Sequence, residues 1–250
     1  MGRWGDCTRR MRLAGLAVIA AALTVGVACA PIPGPRHPSD PWERMNRGTF
    51  RFNEGLDRWV IEPVAKGMDF VLPDPVERSI SRFFDNSKIP IHFGNALLQL
   101  KFESAFEDLA RFVLNSTIGF AGFFDPAIEA GLEAHHEDFG QTLGYWGVPA
   151  RPYLVLPVFG PSSPRDTVGL AADTFSTVYP WFIPIYASFS IGVGQRLNWR
   201  SLALDQIAAE REAALDYYVA VRNAYLSYRE NLVRDQKEDV TDDEDLYYFD

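Results

Sequence analysis

Cysteine is almost missing from this chain, and so are basic clusters of the kind that bind nucleic acid. Cys7 and Cys29 are the two thiols among 250 residues. Cys7 lies in a segment that reads as removable, so the mature chain has no pair with which to form an internal disulfide. No run of Lys and Arg interleaves with aromatics, which excludes the electrostatic footprint a nucleic-acid binder needs to neutralise phosphates. A Gly-x-x-x-x-Gly-Lys phosphate loop is also lacking, so nothing in the chain points to nucleotide-driven work. The Gly-x-Ser-x-Gly elbow of a lipid hydrolase is absent, and Gly160-Pro161-Ser162 has Pro where that turn needs freedom. Ser162 or Ser163 reads instead as a helix cap. His135-His136 is the one hint of a metal, but adjacent histidines point different ways and no second ligand cluster has zinc spacing. The expectation is no enzyme, no cofactor and no metal.

Charge is uneven. The formal net charge is −9, and Asp235 to Asp250 holds eight acidic residues and one Lys, a net −7. The body is mildly acidic, and the segment 235–250 is expected to be a disordered tail that cannot bury enough apolar surface to offset its ordering cost.

At the other end, Arg3, Arg9, Arg10 and Arg12 precede an uncharged run from Leu13 to Ala28. That is the pattern of an export signal, shorter than the roughly 20 residues of a spanning helix. Gly26-Val27-Ala28-Cys29 looks like a bacterial lipobox, with Gly where Leu is usual. Residues 1–28 are then the signal, Cys29 the lipidated first residue, and 29–39 a tether. Acyl chains contribute about 0.8 kcal/mol per buried CH2, enough to anchor a protein that has no spanning helix.

The folded part is expected over 40–234. Asp40-Pro41-Trp42-Glu43, Asp74-Pro75-Val76-Glu77 and Ser163-Pro164-Arg165-Asp166 each combine a capping residue, Pro at the first helical position and an acid three residues on. Three such starts predict an all-α protein. Trp42, Met45, Phe52, Leu56 and Trp59 recur near 3.5-residue spacing, as do Phe102, Phe106, Leu109 and Val113. A helical pattern from Trp199 to Gln236 predicts one long C-terminal helix. Tyr153 to Val158 reads as a short extended piece.

Two stretches, Ile118 to Phe124 and Tyr179 to Val193, are too apolar for ordinary loops. Pro180, Pro184, Gly192 and Gly194 prevent the second from spanning a bilayer. Each either fills a core or lies at a membrane interface.

Asp40-Pro41-Trp42-Glu43-Arg44-Met45-Asn46-Arg47, followed by Phe50, Phe52-Asn53, Leu56-Asp57 and Pro63-Val64-Ala65, resembles the MlaA (VacJ) family of outer-membrane lipoproteins. Asn95-Ala96-Leu97-Leu98-Gln99, Arg111-Phe112, Asn115, Gly119, Gly122 and Phe124-Asp125 continue the likeness. Its most specific part is Glu137-Asp138-Phe139-Gly140-Gln141-Thr142-Leu143-Gly144-Tyr145-Trp146-Gly147-Val148, then Pro152 to Pro157, Gly160-Pro161-Ser162 and Arg165-Asp166. The resemblance implies a helical ring in the inner leaflet of the outer membrane, facing the periplasm, with an amphipathic channel. It implies phospholipids as cargo, with trimeric porins and a periplasmic phospholipid carrier as partners. Mislocalised phospholipid would leave the outer leaflet through that channel.

The candidate lipid-channel or signature residues are Trp42, Asn46, Phe52, Asn53, Phe139, Gly140, Gln141, Tyr145, Trp146 and Tyr153. For Asn46 and Asn53, headgroup contact and a buried hydrogen bond stand as equal readings. Tyr145 and Trp146 are either interfacial anchors or core. The competing functions are a structural or surface-interaction lipoprotein without transport, and a phospholipase.

Overall fold

The computed structural model describes residues 37–177 and 185–235. The signal, Cys29, most of the tether, the stretch from Tyr179 to Pro184 and the acidic tail beyond Asp235 lie outside the described residues. Helices dominate: α1 Glu43–Leu56, α2 Glu62–Val71, α3 Asp74–Leu98, α4 Phe102–Thr117, α5 Pro126–Glu129, α6 Phe139–Tyr145, α7 Pro164–Ser176, α8 Ile185–Leu202, α9 Leu204–Ala213 and α10 Tyr217–Val233. One antiparallel hairpin joins α6 to α7, with β1 Leu154–Leu156 paired to β2 Gly160–Ser162. The all-α class expected from the capping patterns is the class found, and the extended piece near Tyr153 is one arm of the hairpin.

The three start patterns behave differently. Ser163 caps α7 as read, its Oγ accepting from the Asp166 N–H at 3.1 Å. Asp74 falls inside the first turn of α3, which begins without a side-chain cap. Asp40 caps nothing: α1 starts at Glu43, and Asp40 is buried, accepting from Asn46 Nδ2 at 2.8 Å, from the Tyr218 hydroxyl and from Arg222 Nη1 at 3.4 Å. Side chains from α1 and α10 outcompete the local backbone for its carboxylate.

α1 runs into α2 through a π turn at Asp57–Ile61. Pro63 has no N–H to give to residue 59, and the chain widens just before it. Asp57 on that turn accepts from Arg200 of α8 at 2.9 Å and from Arg211 of α9 at 2.8 Å. The pattern from Trp199 onward is therefore not one helix. It breaks at Ala203 and again at Ala214–Asp216, where Asp216 accepts from the Val219 N–H to start α10 and pairs with Arg47 of α1 at 2.8 Å. The long C-terminal helix is Tyr217–Val233.

α3 and α4 form a hairpin that turns at Leu100, whose φ is 63°. α6 crosses α7 at two glycines, and α8 lies against α2 and α3. A small aromatic core of Tyr153, Val155, Tyr218 and Tyr225 joins the hairpin to α10, with Phe50 and Leu226 against it.

Polarity is inverted relative to a water-soluble bundle. Among the described residues, buried polar and charged side chains outnumber buried hydrophobic ones. The buried stripe of α4 is Ala105, Asp108, Arg111 and Asn115. Of its apolar stripe, Phe106, Leu109 and Val113 face outward, and Phe102 at its start is exposed at the rim of the cavity described below. Trp59 is 80% exposed, Phe70 90% and Phe120 76%. Trp42, Met45 and Phe52, on the apolar face of the first helix, are also exposed. Of the two apolar stretches, Ile118 to Phe124 projects Ile118, Phe120 and Phe124 outward, which favours the interfacial reading over the core reading. Among the described residues no helix is long and apolar enough to cross a membrane.

Candidate functional site

What the buried polar faces enclose is a cavity of about 1450 Å³. α3, α4, the segment from Gly131 to Gln141, α8 and the end of α10 all contribute to its wall. Phe84, Ile89, Phe102, Leu132 and Trp199 alternate there with Arg82, Lys88, His92, Asp108 and Arg196. The lining therefore offers charge and apolar surface in the same space.

Hydrogen bonds hold the wall rigid. Glu137, in the segment before α6, accepts from Gln99 Nε2 at 2.8 Å and pairs with Lys101 Nζ at 2.8 Å. Its backbone carbonyl meets His92 Nδ1 at 3.0 Å and accepts from Asn95 Nδ2 at 3.3 Å. Thr142 Oγ1 donates to Asn95 Oδ1 at 3.0 Å, fastening α6 to α3. On α4, Arg111 pairs with Asp125 Oδ2 at 2.6 Å and donates to the Leu132 carbonyl at 2.7 Å. Asn115 Nδ2 donates to Asp125 Oδ1 at 2.9 Å.

Asp108 is a carboxylate of this wall that is only partly satisfied. One oxygen accepts from the His135 N–H at 3.3 Å, and the other is buried without a partner. Burial raises its carboxyl to about 7, despite the opposing influence of His135 and Arg111. His135 Nε2 lies 2.7 Å from Glu107, and no group of three potential metal ligands occurs among the described residues.

Of the residues singled out in the sequence, Gln141 lines the cavity, with Nε2 donating to the His136 carbonyl at 2.6 Å. Asn46 is buried and hydrogen-bonded to the chain, and Asn53 is half-buried with chain partners of its own. Asn46 Nδ2 donates to the Tyr153 carbonyl at 3.0 Å while its Oδ1 accepts from the Val155 N–H at 3.0 Å. Asn53 bridges the Leu156 carbonyl and the Val158 N–H at 2.9 and 2.8 Å. Together they pin α1 to the hairpin. Tyr153 is wholly buried in the aromatic core, so that trio stands away from the cavity. Tyr145 and Trp146 are exposed, with Trp146 Nε1 donating to the Leu98 carbonyl at 3.3 Å, and Trp42 and Phe52 are on the apolar exterior. Phe139 packs edge-on to Trp146. Gly140 has a close-packing role: a Cβ on Gly169 of α7 would come within 2.4 Å of its nitrogen.

Sequence reasoning missed the cavity wall itself, including Arg82, Lys88, Asp108, Glu137 and Arg196. The available signal was a polar stripe spaced like a core stripe: Asp108, Arg111 and Asn115 on α4 repeat at helical spacing opposite the aromatics.

The comparisons with known proteins agree with one another. A family model described as MlaA lipoprotein matches residues 38–232. An uncharacterized protein of Rickettsia felis is 32% identical over 197 residues, 78% of each chain. The intermembrane phospholipid transport system lipoprotein MlaA of Haemophilus influenzae is 33% identical over 206 residues, 80% of this chain and 81% of that one. Its Escherichia coli K12 namesake is 32% identical over 224 residues, 86% of each. A solved chain, from work on the structural basis for maintenance of bacterial outer membrane lipid asymmetry, shares 32% identity with a TM-score of 0.70 and covers 78% of this chain and 99% of its own length. With the family model covering residues 38–232 and Glu137 and Gln141 of the signature stretch in the wall of a polar cavity, this chain belongs to the MlaA lipoprotein family.

Proposed function

We propose that this protein is an outer-membrane lipoprotein whose cavity conducts phospholipid, removing mislocalised lipid from the outer leaflet and so maintaining lipid asymmetry. The observation that carries the reading is the inverted polarity: a charged, partly apolar cavity enclosed by helices with aromatic outer faces. A phospholipid head crosses hydrocarbon only at a large cost in lost solvation. A polar lumen supplies that solvation, and the apolar lining keeps the acyl chains out of water. The relatives named as phospholipid transport lipoproteins support the same reading.

The finer parts follow from the chain's own residues and from the family. Acylated Cys29 anchors the domain through the tether to the inner leaflet of the outer membrane, facing the periplasm. Trimeric porins are the proposed neighbours in the membrane, and a periplasmic phospholipid carrier the acceptor. No hydrolytic step is needed for such movement, so the protein acts as a conduit and not as an enzyme.

The test is outer-leaflet phospholipid in a Gram-negative strain deleted for this protein and complemented with wild type or Cys29→Ser. The expected outcome is raised surface phospholipid in the deletion, restored by wild type and not by the unacylated chain. An unchanged leaflet with both complements expressed would favour a structural lipoprotein, and released fatty acid or lysolipid from the purified protein would favour a phospholipase.

A further inference from the structure

One wall of the cavity differs electrically from the rest. α3 and α8 pack side by side and antiparallel there: Ser201 Oγ donates to Glu77 Oε1 at 2.9 Å, and Asn198 Nδ2, one turn earlier, donates to the Glu77 carbonyl at 3.1 Å and to Ser81 Oγ at 2.8 Å. Continuing along this pair, Arg82 and Lys88 of α3 and Arg196 of α8 all line the cavity. Among the described residues, none of the three has an ion-pair or hydrogen-bond partner. Elsewhere in the lining, cations are committed: Arg111 to Asp125, and Lys101 to Glu137 and Asp235. Asp85 is the one carboxylate that α3 adds to this wall, so three cations face one anion.

Arg196 is the centre of the cluster. Its guanidinium lies 5.7 Å from the Trp199 ring, which orients it without neutralising it. It borders both the main cavity and a neighbouring one of about 150 Å³ beside the hairpin. Arg196 is exposed to the cavity, and without a counter-ion among the described residues it leaves a charge imbalance in this wall. An oxyanion in the cavity would relieve it, and a guanidinium fork suits two phosphate oxygens. Elsewhere in the lining, Glu103 and Glu133 carry the opposite sign and repel the same anion.

We propose that the α3–α8 wall, centred on Arg196 with Arg82 and Lys88, is a subsite for the phosphate of a glycerophospholipid in transit. This rests on the conduit reading above. It adds that the lumen recognises the charged head and not only the bulk amphipathic character of its cargo. Inorganic phosphate offers the same chemistry without acyl chains, and the test separates the two.

Purified full-length mature protein in nanodiscs is offered phosphatidylethanolamine or a diacylglycerol with the same acyl chains, and bound lipid is counted by native mass spectrometry. Wild type is expected to retain the phospholipid roughly tenfold better than the diacylglycerol, the scale of one charged hydrogen-bonded contact. Arg196→Gln, and more fully the triple variant with Arg82→Gln and Lys88→Gln, is expected to lose that preference. Arg196→Lys should keep most of it. Circular dichroism selects variants that retain wild-type helicity, and Arg196→Gln alone suffices if the triple variant does not fold. Unchanged preference in folded variants overturns the subsite while leaving the conduit intact. Wild type that retains neither lipid overturns both readings. Inorganic phosphate that binds without lipid and abolishes the preference at equal occupancy assigns the wall to free anions and overturns the lipid subsite.

Discussion

Arg229 on α10 grips Asp138, the residue that caps α6, through both ends of its guanidinium: Nη1 donates to Oδ2, and Nη2 to Oδ1 at 2.9 Å. The same Nη2 reaches Asp166 Oδ1 of α7 at 2.9 Å, so a single cation ties three helices together. Burial pushes the Asp138 carboxyl up, but the charge and hydrogen bonds of Arg229 bring it down to about 2.

Replacing Arg229 with Met leaves Asp138 without its cation and Asp166 with Arg165 alone. The expected loss is roughly 3 kcal/mol, the scale for breaking a buried pair by removing one partner. Thermal and denaturant unfolding check it. In wild type, the stability due to Asp138 is fully present above its ordinary value of 3.8 and is lost as pH falls through about 2. Arg229→Met removes that acid-side dependence.

Asp108 gives the opposite sign. Its carboxyl is raised to about 7, so the folded state holds a proton that the unfolded state releases near 3.8. Its contribution is complete below 3.8 and disappears as pH rises through 7. Asp108→Asn should flatten the stability profile between those values and raise stability at pH 8. A melting series in pH reads both effects, and an unchanged slope would count against an acid in this environment.

Two glycine substitutions should separate packing from propensity. At Gly169 an added Cβ would meet the backbone of Gly140 at 2.4 Å, and Gly169→Ala is expected to cost about 1–3 kcal/mol by overpacking. Gly67 on α2 has nothing within 4 Å of that position. There the change to Ala should stabilise by about 0.5–1 kcal/mol, since Ala restricts the unfolded chain. Equal Tm shifts for the two would refute the helix crossing.

Asn46→Leu should strip the Tyr153 carbonyl, the Val155 N–H and Asp40 of a shared partner. Unsatisfied buried groups cost about 1–3 kcal/mol each, so the loss should exceed that of an ordinary surface change severalfold. Lipid retention by the protein that remains folded should be unaffected, because Asn46 lies outside the cavity lining. A retention defect without a stability defect would reverse that assignment.

Trp59 and Phe70 test the exterior. Changing both to Ser in a Cys29→Ser background should leave unfolding nearly unchanged, because both rings are already exposed. Liposome flotation should weaken by more than tenfold, since each ring that leaves the membrane forfeits about 1.5–3 kcal/mol of apolar transfer.

How far the sequence discloses this protein depends on whether a residue acts locally. Ser163 and Asp166 are three apart and cap α7 as their pattern states. Asp40 has the same neighbours in sequence as a cap, but its partners Tyr218 and Arg222 come from the far end of the chain, which no local rule reports. The signature around Phe139 to Trp146 is legible as a family mark and Asp138 or Glu137 as a cap or pair of the Phe139–Gln141 turn, and Asp138 caps α6. The tight α6–α7 crossing and the hold of Arg229 on that cap are not legible. The cavity wall was the least visible. Arg82, Asp85 and Lys88 on α3 have the spacing of an ordinary solvated face, and only the exposed aromatics elsewhere reveal which side is out.

The outward-facing aromatics have a consequence for biogenesis. Amphipathic helices with ring systems outside and guanidinium groups inside have two possible packings, and the surrounding medium selects between them. In bulk water the everted packing, or aggregation through Trp59, Phe70 and Phe120, competes with the native one. The native arrangement is therefore a property of the chain and its amphiphile together. Refolding from denaturant should therefore succeed only when micelles or vesicles are already present to cover that apolar surface.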